Sequence, residues 1–141
     1  MLKLLQLYGL MAVAFFALDL RHAFENLTRA RVDGQSVIWE HPYAPDSTIV
    51  RMRLPEPLPP GATTTVDLDW VARLSTVPRR QGRRGRQYDF AQWYPRVVVY
   101  DREGWRDQRL YRQGEFYGEF ATYDVTLQVL EDQVMGSTGV V

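Results

Sequence analysis

Hydrophobic residues recur with a period of two along several short stretches of the chain. This is the signature of half-buried β-strands, whose successive side chains point to opposite faces. Arg29-Ala30-Arg31-Val32 and Gln35-Ser36-Val37-Ile38-Trp39 form two extended runs on either side of Asp33-Gly34, residue types that accept the positive φ angles of a tight hairpin turn. A hairpin is predicted there. Over residues 48–54, Val50, Met52 and Leu54 share one parity and are assigned to a core, while Ile49, Arg51 and Arg53 take the other. The stretch Pro55-Glu56-Pro57-Leu58-Pro59-Pro60-Gly61 lacks the backbone donors of a central strand and must connect. Alternation resumes over residues 63–70, with Val66, Leu68 and Trp70 on one face. It recurs over residues 121–130, with Tyr123, Val125, Leu127 and Val129 aligned, before Glu131-Asp132 and Gly136-Ser137-Thr138-Gly139 turn the chain. No convincing crossover helices separate these strands. The expected fold is mostly β, an antiparallel β-sandwich or saddle-like sheet, with little helix beyond residue 25.

Residues 1–18 stand apart. They are apolar except for Lys3, Gln6, Tyr8 and Gly9, and fall short of the about 20 residues a membrane-spanning helix requires. Two readings stay open. Lys3 followed by an apolar run and Ala12-Val13-Ala14 fits a secretory signal, which would send the protein outside the cytoplasm, and a membrane contact arises only if the segment stays as an anchor. A first apolar element of the fold would have the same composition. Residues 19–141 are then one β-domain, as the total length of 141 residues suggests. The Asn26-Leu27-Thr28 acceptor pattern is a common chance match.

Composition narrows the chemistry. There is no cysteine, so disulfide scaffolds, thiolate metal sites and cysteine nucleophiles drop out together. The 17 basic and 17 acidic residues cancel, but segment by segment residues 1–78 sum to −1, residues 79–112 to +6 and residues 113–141 to −5. The simplest consequence is internal pairing between the basic stretch and the acidic tail. Within the basic stretch, residues 79–86 hold five arginines and no apolar side chain, which predicts a surface loop that builds no packed element. Arginine matches phosphate geometry, yet no nucleic-acid-binding module surrounds the loop, and nucleic acid is not the expected partner.

The most informative stretch is residues 88–101, in which six positions (Tyr88, Phe90, Gln92, Trp93, Tyr94 and Tyr100) are aromatic or amide-bearing. Aromatic residues are good strand formers and could simply fill a core. Taken together, Phe90-Ala91-Gln92-Trp93-Tyr94-Pro95-Arg96, Tyr100-Asp101 with Gly104-Trp105, Gly114-Glu115-Phe116-Tyr117, Tyr123-Asp124-Val125-Thr126-Leu127 and Val134-Met135-Gly136-Ser137-Thr138-Gly139 resemble the N-terminal β-domain of M1 family zinc metallopeptidases. The resemblance runs from about residue 32 to the end. It implies a non-catalytic domain of an aminopeptidase-like hydrolase that forms one wall of a peptide-substrate cleft.

In that family, the glutamine of the aromatic-x-Gln pattern binds the free α-amino group of the peptide, and Gln92 occupies that position. An amide oxygen suits the role, since it accepts a hydrogen bond from an ammonium group without adding charge. The resemblance also implies zinc in a separate catalytic domain, the partner of this one, held by H-E-x-x-H. This chain has only His22 and His41, nineteen residues apart and neither followed by glutamate, so no catalytic or metal-ligating residue is assigned to it. His22-Ala23-Phe24-Glu25-Asn26 resembles the family's Gly-x-Met-Glu-Asn segment but stands on the wrong side of Gln92 and is read as chance. A stand-alone β-sandwich binding module is the competing expectation, and a nucleic-acid binder using residues 79–86 is a weaker one.

Overall fold

The computed structural model describes residues 10–14, of which only the backbone, and residues 23–76, 80–107 and 117–140. The described residues contain no helix. They form small antiparallel sheets, so the protein is mostly β as its alternation predicts. Strand β1 (Leu10–Ala14) lies inside a four-stranded sheet in the order β4-β5-β1-β9. Its neighbours are β5 (Ile49–Arg53) and β9 (Arg96–Val97), and β4 (Trp39–Glu40) closes the other edge. Residues 10–14 of the apolar N-terminal segment thus form a strand. Residues 1–9 and 15–18, on which the signal reading also rests, lie outside the described residues, as does His22.

The second sheet runs β3-β2-β6, from β2 (Phe24–Val32), β3 (Gln35–Ser36) and β6 (Val66–Arg73). The predicted hairpin is present: Val32 pairs with Gln35 across Asp33 (φ 48°) and Gly34 (φ 78°), a turn that needs positive φ at both central positions. The second arm differs from expectation. It stops after Ser36, and Trp39–Glu40 crosses to the other sheet, where Trp39 pairs with Met52. Asp33 also ties the turn to the approach of β6. Its carboxylate accepts from the Thr64 hydroxyl at 2.8 Å and from the Thr65 amide at 2.9 Å, while its own amide donates to the Thr65 carbonyl.

The two sheets meet on one core, which makes the arrangement a two-layer sandwich. Ala30 and Val32 from β2 pack with Val50, Met52 and Leu54 from the β5 region, each of the larger side chains contributing about 1.5–3 kcal/mol by leaving water. The residues assigned to the core from residues 48–54 are the ones found there, and Ile49, of the opposite parity, is buried too, in a second small cluster with Val98. Val66, Leu68 and Trp70 all pack against the main core, as their shared face requires. On β2 a bulge between Leu27 and Arg29 reverses the parity, so that Leu27 before it and Ala30 after it both face inward. The proline-rich stretch after Leu54 contains no strand, as predicted.

Two expectations need correction. The arginine-rich stretch forms a short hairpin, β7 (Gly82–Arg84) paired with β8 (Gln87–Asp89). Backbone pairing alone suffices for so short a ladder, and Gly85 at φ 58° turns it. Arg79 lies outside the described residues. Residues 121–130, the cleanest alternation in the sequence, form no strand: they are exposed and pair with none of the described strands. Alternation qualifies a segment for a ladder, but a strand exists only beside another. The turns beyond it are present, with the Gln133 amide bonded to the Leu130 carbonyl.

Candidate functional site

Gln92 lies between β8 and β9, in a segment that cannot be regular strand because Pro95 has no amide proton to donate. The chain enters the ladder only at Arg96, immediately after Pro95, and β9 is an edge of its sheet. Gln92 itself has φ 54°, the left-handed region that glutamine seldom adopts. Its side-chain oxygen Oε1 is buried and accepts no hydrogen bond among the described residues. A strained backbone and an unsatisfied buried acceptor at one residue are both costs, and costs of this kind concentrate at functional positions.

Aromatic rings continue on both sides of Gln92. Tyr88 stacks on Phe90 at 6.5 Å, Phe90 meets Trp93 edge-on at 6.1 Å, and Trp93 contacts Tyr94 at 5.8 Å. Trp93 reaches across to Trp70 of β6 at 6.3 Å, and Tyr94 reaches Tyr123 of the tail at 5.3 Å. Such tilted and edge-on pairs are the geometries that ring quadrupoles favour. Tyr88 is 46% exposed and Phe90 59%, so these rings form a surface and do not merely fill a core. A hydrogen bond with the Tyr123 hydroxyl, followed by partial burial, holds the Tyr94 phenol above its ordinary range.

Beside this aromatic surface, an open groove of about 680 Å³ follows β6 from Val66 to Trp70 and is bordered by Arg29, Arg31, Tyr94 and Pro95. Arg29 pairs with Asp69 at 2.7 Å, and the bulge residue Thr28 donates to the Asp69 carbonyl at 3.0 Å. Arg31 is opposite Asp67 in the ladder, yet its Nε is buried and makes no hydrogen bond among the described residues.

The remaining residues singled out by their sequence have structural roles. Tyr100 and Trp105 pack edge-on at 5.1 Å across the hairpin of β10 (Tyr100–Asp101) and β11 (Gly104–Trp105). Asp101 staples that hairpin by accepting from the Arg106 guanidinium at 2.7 Å and from the Glu103 amide at 2.8 Å. These bonds hold its carboxyl below the usual range. His41 Nδ1 lies 3.1 Å from the Ile49 carbonyl, so that nitrogen carries the proton, since a carbonyl can only accept. Residues 114–116 lie outside the described residues. Among the described residues no three histidine, aspartate or glutamate side chains gather to hold a metal.

The structure thus brings Gln92 together with Phe90, Trp93 and Tyr94, and adds Trp70 and Tyr123, which only their strand parity hinted at. The site has a buried acceptor oxygen, an exposed aromatic surface and, two residues further along at Tyr94 and Pro95, the border of a groove that Gln92 itself does not line. Compared with known protein families, curated proteins and solved structures, the chain matches none.

Proposed function

We propose that this chain is the non-catalytic β-domain of an M1-type zinc metallopeptidase, an aminopeptidase-like hydrolase, and that it supplies one wall of the peptide-substrate cleft. In this reading Gln92 accepts a hydrogen bond from the peptide's free amino group, and the zinc with its H-E-x-x-H ligands belongs to another domain of the same protein. The observation that carries the reading is the Gln92 side chain, whose buried Oε1 has no partner among the described residues while its backbone is held at φ 54°. An ammonium group is a donor from which such an oxygen would accept once the Gln92 side chain turns outward to meet it, and hydrogen bonds to charged groups contribute about 1.5–3 kcal/mol. The aromatic residues Phe90 and Trp93 on either side are suited to exclude water around that contact.

The test is to express the natural gene with the coding sequence that surrounds this chain. The expected result is an in-frame H-E-x-x-H downstream and an aminopeptidase activity that chelators abolish. A gene that encodes no such motif, and a product inactive on aminoacyl substrates, would overturn the reading in favour of a stand-alone β-sandwich module.

A further inference from the structure

We propose that the β7–β8 hairpin and the two aromatic rings beside it bind single-stranded nucleic acid. This inference is independent of the peptidase reading, and it reverses an expectation drawn from composition. An arginine loop without structure would hold its cations in no fixed relation to any ring, whereas the hairpin fixes one. Arg83 stands directly opposite Tyr88 in the antiparallel ladder, so the two side chains share a face. Phe90, two residues past Tyr88, continues that face, and the two rings lie within 15° of parallel at 6.5 Å. Both are open, Tyr88 46% and Phe90 59% exposed.

The ladder sorts charge as well as rings. Asp89, the one acidic residue of the hairpin, takes the opposite face, where Gln87 donates to both of its oxygens at 3.3 Å. Arg84 and Arg86 flank the Gly85 turn and are exposed. The face therefore presents two neighbouring rings with a guanidinium beside one of them, and two more guanidinium groups at the tip. A single strand carries the matching chemistry. Its phosphates suit the planar fork of arginine, and its bases have open π faces to stack on the rings. The bases of a duplex are stacked on one another and cannot reach them.

The tail bears on the choice of ligand. Asp132 pairs with Arg86 at 2.5 Å and Tyr123 reaches Tyr94, so the tail, with Glu131 and Asp132 exposed, borders the hairpin. A planar anionic membrane laid on the tip meets these carboxylates too, whereas a strand one nucleotide wide needs only the Arg83–Tyr88 face and the tip. The side chains of the Arg86–Asp132 pair are 67% and 63% exposed, so a phosphate can take the place of Asp132 at small cost.

Fluorescence anisotropy of a labelled oligothymidylate of about 12 nucleotides, titrated with the full chain, tests this. The expected result is saturable binding whose logarithm falls with the logarithm of salt at a slope of about −2, from about 0.7 for each of three phosphate contacts. Tyr88→Ala and Phe90→Ala, both at exposed positions, should each weaken binding by about five- to a hundredfold. Arg83→Gln should make the slope shallower by about 0.7. Asp132→Asn, which releases Arg86, should tighten binding by up to about fivefold. Circular dichroism should be unchanged in all four. The proposal is overturned by an absence of saturable binding at low salt, by wild-type affinity in both ring variants, by equal affinity of the wild-type chain for an oligomer of the same backbone without bases, or by binding to phosphatidylserine vesicles and not to the oligonucleotide.

Discussion

β6 and residues 121–130 present nearly the same pattern to a reader of the sequence and behave oppositely in the structure. Both alternate apolar and polar residues, and the alternate face carries Asp67 and Asp69 in β6 and Asp124 in the tail segment. β6 pairs with β2 along its whole length and packs Val66, Leu68 and Trp70 on a core that also receives Val50 and Met52. The tail segment has no neighbouring strand among those described, and its apolar face stays about half exposed. The pattern therefore specifies which face a strand would bury. Whether it buries that face depends on a partner elsewhere in the fold.

The sharpest way to break this contrast is to truncate one side chain in each region. Met52 is 0% exposed, and Met52→Ala is expected to cost about 2–5 kcal/mol because it leaves a cavity between the two sheets. Leu127→Ala is expected to change stability by no more than about 0.5 kcal/mol. Urea unfolding midpoints measure both, and a large cost for Leu127→Ala would mean that the tail is packed after all.

Gln92 lies between these regions and has a different signature. Glycine accepts φ 54° without strain and removes the unsatisfied oxygen, so Gln92→Gly is expected to stabilise the domain by about 1–3 kcal/mol. A fall in melting temperature for this variant would indicate that the side chain serves the fold.

Acid should loosen the β2–β3 turn while leaving the apolar core intact. Bonds from the Thr65 amide and then the Thr64 hydroxyl hold the Asp33 carboxyl below its ordinary 3.8. A group depressed in the folded state stabilises it above the unfolded value and ceases to do so as pH falls through the folded one. Protection of the Thr65 amide, its observed exchange rate corrected for the intrinsic rate at each pH, should fall below about pH 4, and that fall should be absent in Asp33→Asn. The smallest effect is expected at the tail's fastening to the β7–β8 hairpin. Arg86 and Asp132 are 67% and 63% exposed at the side chain, and Arg86→Ala should alter stability by less than about 1 kcal/mol, with salt removing the difference.

Much of the framework was legible in the sequence. Asp33-Gly34 marked its turn because few residue types tolerate two positive φ angles, and Val50, Met52 and Leu54 marked the core by parity. Other features depend on contacts between distant residues that no local pattern encodes. The departure of Trp39 to the other sheet is one, and the Thr28 bulge that reverses the face of β2 is another. The arginine hairpin has no sequence signature because Tyr88 is the one aromatic side chain in its ladder and nothing apolar alternates along either strand. At the candidate site the motif around Gln92 was visible, whereas its left-handed backbone, its oxygen without a partner among the described residues and the reach of Trp93 to Trp70 belong to the folded chain alone.

The proposed role of Gln92, whose oxygen would receive a peptide's amino group, is tested most directly by kinetics of the proposed full-length metallopeptidase. Gln92→Ala is expected to lower kcat/KM for peptides with a free amino terminus by about ten- to a hundredfold, the equivalent of one hydrogen bond to a charged group. Gln92→Glu, which keeps an acceptor oxygen, should retain more activity than Gln92→Ala, and both should leave the circular dichroism of the domain unchanged. An unaltered kcat/KM in Gln92→Ala would contradict the account.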